Sequence, residues 1–380
     1  MIPVIPVIKP VLGEEEAAAV AEVVRSGWVA QGPRVAEFET AFAARVAAGH
    51  GVATSSCTTA LHLALLLAGV GPGDEVVVPS LSFIATANVV RHAGAEVVFA
   101  DVDPVTGNVT GKTVEVALTG RTRAVIAVDQ GGVPVDLEEI RTLCDPRGIT
   151  VVEDAACAAG SVYRDRPVGA AAELAAWSFH PRKLLTTGEG GMLTLPDGER
   201  AKRARRLREH GMSVSAAERH ASDRVVIEEY GETGFNYRMT DLQAAIGLVQ
   251  LGRLDAIIGR RRALAARYQR LLAEIPGIAC VRDPGLGRTN YQSFWIVLPD
   301  DFPVGRDDLL RRMLTAGVSA RRGIMAAHRE PAYADVRGRR TADLPVTDRF
   351  AERSLILPLF HEMTASQQDR VVETITAAAS

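Results

Sequence analysis

From about residue 50 to 195, short apolar runs alternate with stretches of helical periodicity. The runs "EVVVP" (75–79), "EVVFAD" (96–101), "RAVIAV" (123–128) and "ITVVED" (149–154) are apolar almost throughout, as strands covered on both faces are. Between them, "TTALHLALLLAG" (58–69) and "DLEEIRTLCDPRG" (136–148) have the length and spacing of helices. Doubly buried strands separated by helices predict an α/β fold with a mostly parallel central sheet. "GPGDE" (71–75) is turn chemistry leading into a strand. Helical patterns return at 198–210 and 239–275, and after "IPGI" (275–278) the pattern changes. "NYQSFWIVLPD" (290–300) reads as an antiparallel strand, 305–317 as a helix, "GVSARR" (317–322) as a strand, and a terminal helix starts near 364. That predicts a smaller C-terminal α+β domain over 251–380, behind a large domain over 1–250.

Composition narrows the class. The chain has 380 residues, 47% hydrophobic and 23% charged, enough to bury a large core without disulfide or metal. A net charge of -3 with no basic stripe argues against nucleic-acid binding. Cys57, Cys144, Cys157 and Cys280 include no close pair of zinc-ligand spacing, so no metal site is expected, and they suit reduced thiols. The N-terminal "MIPVIPVIKPVLGEEE" is broken by prolines and lacks a basic leader, and no apolar run approaches the ~20 residues of a membrane span. A soluble cytoplasmic protein is expected.

Three segments could carry chemistry. "VVEDAACAAGS" (151–161) ends a buried strand in Glu153 and Asp154, at the edge where open α/β sheets bind ligands. Alone, Asp154 is equally well read as a helix cap. "TSSCTTALHLAL" (54–65) runs from a strand end through hydroxyl residues into a helix, which makes a phosphate cradle or simply a capped helix. Neither a P-loop nor a dinucleotide fingerprint is present. "SFHPRKLLTTGEGGMLT" (178–194) reads as strand, tight turn and strand, with Lys183 in a glycine-flanked turn. A lone lysine is ordinarily surface charge. Together, however, cradle, acid and amine are the handles pyridoxal 5'-phosphate (PLP) requires. Lys183 would form a Schiff base with the aldehyde, Asp154 would keep the pyridine nitrogen protonated, and the helix start with Ser178 would hold the phosphate.

The ordered motifs resemble those of the DegT/DnrJ/EryC1/StrS family of PLP-dependent sugar aminotransferases, of type I aminotransferase fold. The likeness runs through "SGWVAQGPRVAEFE" (26–39), "SSCTTALHLAL", "GPGDEVVVPSLSFIATAN" (71–88), "FADVDP" (99–104), "VEDAACAAGS", "SFHPRKLLTTGEGG", "GFNYRMTDLQAAIGLVQLGRLD" (234–255) and "LPLFHEMT" (357–364). The resemblance implies that Lys183 attaches the cofactor and shifts the proton, that Asp154 faces the ring nitrogen, and that Phe83 stacks on the ring. It implies phosphate contacts from Thr58, Thr59 and Ser178. Asn236 or Arg238 would reach the phosphate of a neighbouring subunit, making the active unit a homodimer. His180 would order the substrate side.

Two residues depart from the pattern. Cys57 stands where the family usually has glycine, and Cys157 where histidine or glutamine contacts the cofactor's phenolic oxygen, so both would border the cofactor. A related dehydratase branch has histidine in place of the lysine; Lys183 argues against it. "GVSARRGIMAAHREPAY" (317–333) aligns with a substrate loop, and its Arg321 and Arg322 suit an anionic group or a solvated face equally. The implied reaction moves an amino group from L-glutamate or L-glutamine to a keto sugar, foremost a nucleotide-linked ketohexose, or a related cyclic ketone. The alternatives are a PLP enzyme of other outcome, by elimination or condensation, and a non-catalytic regulatory homologue.

Overall fold

The structure, a computed structural model, describes residues 4–214, 225, 227–336 and 343–379. After helices α1 (Glu14–Ser26) and α2 (Pro33–Arg45) the chain enters the alternating region. Its elements are β1 (His50–Thr54), α3 (Cys57–Leu67), β2 (Glu75–Pro79), α4 (Ala85–His92), β3 (Glu96–Ala100), α5 (Gly111–Ala117), β4 (Thr122–Val128), α6 (Leu137–Cys144) and β5 (Thr150–Asp154). The short strands β6 (Val162–Tyr163) and β7 (Arg166–Pro167) precede β8 (Leu174–Ser178), β9 (Gly191–Leu195) and α7 (Gly198–Arg208). The seven-stranded sheet has the order β1-β9-β8-β5-β4-β2-β3. Only β9 runs against its neighbours. The predicted mostly parallel α/β sheet is therefore present.

Strand side chains alternate between two cores. Val76, Val78, Ala124, Ile126 and Val152 point into one with Leu61, Val89 and Leu207 of the flanking helices. Val77, Val125, Ala127 and Val151 point into the other with Phe38, Ile140 and Leu254. Burial on both faces is why these strands carry apolar residues at consecutive positions. The register pairs Asp154 with Val128 on β4 and with Ala176 on β8, which levels the carboxyl ends of the three central strands.

Helix α8 (Asp241–Leu272) starts at Thr240, whose hydroxyl accepts from the Gln243 amide, and passes unbroken through position 250. An 18-residue window reaches a mean hydropathy of 1.2, a value that core helices and membrane spans share. This helix packs on α1 and α2 and buries Ala244, Leu254, Ile257 and Tyr268. Gly247 permits the approach, since a Cβ there would lie 2.7 Å from the Phe38 ring.

The remaining elements are β10 (Ala279–Cys280), β11 (Gly287–Arg288), β12 (Phe294–Val297), α9 (Arg306–Thr315), β13 (Arg321–Arg322), α10 (Pro345–Arg353), β14 (Ser354–Leu357) and α11 (Ala365–Ala379). An antiparallel sheet of order β10-β12-β14-β13 forms here, as the second pattern predicts. The expected strand 317–322 is confined to its last two residues. Ile5 donates to the Gly317 carbonyl and accepts from Ser319, so the start of the chain takes the hydrogen bonds that residues 317–319 would give the sheet.

Candidate active site

A cavity of about 400 Å³ opens at the carboxyl ends of β1, β2, β4, β5 and β8, within the size range of small-molecule sites. Lys183, Asp154, Cys57, Thr58, Phe83, Cys157, Ser178, His180, Arg321 and Arg322 all line it. Thr59, Asn236 and Arg238 do not. Thr59 Oγ1 instead closes the α3 cap, donating to the Ser56 carbonyl at 2.8 Å, while Asn236 is exposed beside Glu209.

Lys183 closes the tight turn His180–Lys183, within a connection longer than that one turn. Strand β8 ends at Ser178 and β9 begins at Gly191, so the lysine occupies the 179–190 loop. Phe179 N–H donates to the Gly190 carbonyl, Lys183 N–H to His180 at 2.8 Å, and Thr187 N–H to Phe179 at 2.9 Å. Gly191 is required because a Cβ there would lie 2.3 Å from the Ser56 carbonyl carbon, where the loop before α3 crosses.

Asp154 is buried at the end of β5. Thr86 on α4 donates to its Oδ2 at 2.9 Å, the Ala156 amide donates to Oδ1 at 3.2 Å, and Cys57 Sγ lies 4.0 Å from Oδ1. Burial pushes this carboxyl up, and Thr86, Ala156 and Lys183 only partly oppose it. Lys183 Nζ donates to Cys157 Sγ at 3.1 Å. Burial works against its charge, but Cys157, Cys57 and Asp154 outweigh burial and hold the amine above its usual range. Cys57 is driven well up by burial and by Asp154.

Ser56 caps α3, its Oγ accepting from Thr59 N–H at 3.2 Å. The first-turn amides of Cys57 and Thr58 have no intrahelical acceptor and, with the Ser178 hydroxyl, form an anion cradle. Phe83 is 67% exposed beside the cavity, a loose aromatic face for a flat ring. An acid at depth, an amine, a ring-sized aromatic and uncapped amides fit PLP.

Arginines gather at the mouth. Arg321 is held below its usual range by burial and by Arg182 and Arg322. Arg322 reaches Glu330 at 3.4 Å. His180 Nδ1 accepts from the Arg182 amide at 3.1 Å, and burial lowers its pKa. Thr86, Arg182, Gln130 and Gln292 also border the site without having been singled out in the sequence. Thr86 lies within the quoted "FIATAN" and Arg182 adjoins Lys183, so motif adjacency marked two of them; only the folded chain brings in Gln292.

Similarity to solved structures defines the class. The chain superimposes with a TM-score of 0.89 on the aminotransferase TlmJ of Streptoalloteichus hindustanus, at 39% identity covering 98% of each chain. It matches DesV of S. venezuelae, solved in complex with a ketimine intermediate, at TM-score 0.89 and 33% identity over 100% of this chain and 99% of that one. The fold is that of a PLP-dependent aminotransferase. The chain belongs to the DegT/DnrJ/EryC1/StrS aminotransferase family, whose model matches residues 10–376. A relative in sequence is the spore coat polysaccharide biosynthesis protein SpsC of Bacillus subtilis (strain 168), 39% identical over 378 residues, 98% of this chain and 96% of that protein.

Proposed function

We propose that this aminotransferase attaches its cofactor at Lys183 and moves the amino group of L-glutamate or L-glutamine to a nucleotide-linked ketohexose. Bound PLP supplies a carbonyl that condenses with amines and a ring that accepts electrons. Lys183 Nζ holds that group and carries the proton between the substrate carbon and the cofactor. Positioned acid–base work of this kind is worth about 10²–10⁴-fold. Asp154 holds a proton on the ring nitrogen, Phe83 covers the ring, and Cys57 and Cys157 border it, with Cys157 orienting Lys183 Nζ. Thr58 and Ser178 bind the phosphate with the α3 amides, and Thr59 acts through the cap.

Arg182, Arg321 and Arg322 with His180 select an anionic acceptor; guanidinium forks suit a diphosphate. Among the described residues no acid is recorded with Arg182 or Arg321, and that crowding of cations supports this reading. We assign Asn236 and Arg238 to the cavity of a second copy in a homodimer, since neither lines its own. Val225, Ile227 and Tyr230, exposed just before them, support a covered face there. We divide the chain into a PLP-binding domain over 1–250 and a small domain over 251–380, and place it in the cytoplasm, where free thiols persist.

The observation that carries the reading is the Lys183–Cys157–Asp154 cluster at the sheet's carboxyl edge. The test supplies L-glutamate or L-glutamine with nucleotide-linked 4-keto and 3-keto hexoses and a ketocyclitol, and follows amino-product formation by mass spectrometry. Amination of a nucleotide-linked ketohexose is the expected result. Turnover of the ketocyclitol alone would overturn the acceptor assignment.

A further inference from the structure

The segment 289–293 joins β11 to β12 of the small sheet and lies against both loops that furnish the site. Its residues Asn290, Tyr291 and Gln292 are buried. The Gln292 side chain accepts from the Leu184 amide at 2.9 Å and donates to the Arg182 carbonyl at 2.6 Å. Those two groups belong to the peptide bonds on either side of Lys183, so one carboxamide pins both.

Asn290 does the same for the facing loop. Its Nδ2 donates to the carbonyls of Cys157 at 2.8 Å and Ala159 at 2.9 Å, and its backbone amide donates to Ser161 Oγ at 3.1 Å. The Gln292 amide donates to Asn290 Oδ1 at 2.7 Å, which fixes the orientation of the Asn290 side chain. Gly132 leaves room for it: a Cβ there would lie 1.9 Å from Asn290 Oδ1.

Between the two amides, Tyr291 takes φ +53, a conformation disfavoured for any residue with a Cβ. Its surroundings hold it there. Arg261, buried in α8, donates to the carbonyls of Tyr291, Gln292 and Leu359 at 2.8, 2.9 and 2.8 Å. Gln269 donates to the Tyr291 hydroxyl at 3.1 Å.

We propose that Asn290 and Gln292 form a positioning strap that sets Lys183 against Cys157, so that the lysine's reactivity depends on the seating of the small lobe. The inference rests on Lys183 being the cofactor lysine. Gln292→Met keeps the length and removes both hydrogen bonds. The apoprotein is labelled with trinitrobenzenesulfonate at fixed pH, and each lysine is followed by peptide mass spectrometry. Lys183 is expected to label about tenfold faster, the factor that one or two lost hydrogen bonds set, with Lys9, Lys112 and Lys202 unchanged. General loosening would instead speed backbone amide hydrogen exchange in the buried strands as well, and would overturn the proposal.

Rates for Lys183 labelling and for PLP uptake within twofold of the wild type would also overturn it. If Gln292→Met does not fold, Gln292→Glu retains the acceptor for Leu184 and loses the donor to Arg182. It should give a smaller rise confined to Lys183, and no rise refutes the strap. Labelling uses no cofactor, so it is separable from the assignment of Lys183, which fails if Lys183→Ala still binds PLP covalently.

Discussion

Replacing Thr86 by valine tests how the acid at the base of the cavity is tuned. The hydroxyl donates to Asp154 Oδ2 at 2.9 Å and lies 2.8 Å from Ser82 Oγ, with all three residues buried. Hydrogen bonds to charged groups contribute about 1.5–3 kcal/mol. Loss of this one therefore raises the Asp154 carboxyl further above its usual range than burial already does. A carboxyl that keeps its own proton more strongly is a poorer partner for a protonated ring nitrogen. We expect kcat to fall about tenfold or more, and KM for the donor to stay within about twofold, because the change acts after binding. In the apoprotein, denaturant unfolding at pH 8 should show a loss of about 1.5–3 kcal/mol that shrinks as pH falls through the raised pKa of Asp154. A kcat within twofold of wild type, with an unchanged unfolding midpoint at pH 8, would refute the reasoning.

Lys183→Ala should abolish covalent cofactor attachment, read as the absence of a borohydride-fixed adduct in the intact mass, and lower turnover by at least about 10²-fold. Replacing Arg182 and Arg321 together by alanine should raise KM for a nucleotide-linked acceptor about 100-fold while leaving the donor half-reaction within about threefold, as stopped-flow absorbance would show. Glu153 carries a carboxyl that burial raises to about 7, and burial and Glu153 also raise the neighbouring Asp129. Such groups bind protons more tightly folded than unfolded, so stability is fully present below about pH 4 and declines as pH rises towards 7. Glu153→Gln should flatten that decline in denaturant titrations across pH 4.5–8; an unchanged slope would count against it.

Much of this arrangement was legible because local pattern and tertiary context agree. The runs 75–79, 96–101, 123–128 and 149–154 are strands within a residue at either end, since burial on both faces leaves no room for a competing helical period. The 179–190 loop was harder. Its glycines suggest that one tight turn joins the strands, but Gly191 serves the crossing of residue 56, and the loop is shaped by Thr186 and Thr187 bonding back to Phe179. "GVSARR" has strand character throughout, yet Ile5 takes the place of a neighbour at Val318, a partner too distant in sequence to foresee. Gln292 and Asn290 carry no motif. Their roles arise where the segment leading into β12 meets two loops more than 100 positions away.

The single reversed strand of the large sheet bears on how such enzymes can be altered. Because β9 returns antiparallel to β8, the lysine-bearing segment is a hairpin connection and needs no crossover helix to come back to the ligand edge. Its ends are clamped by the ladder from Ala175–Thr194 to Ser178–Gly191, which makes no reference to what lies between. Exchange within 184–189 is nonetheless confined to the exposed Glu189, since Leu184, Leu185, Thr186 and Thr187 are buried and Gln292 holds the Leu184 amide. Glu189 borders the cavity, so such an exchange alters its wall while the parallel strands keep their pairing.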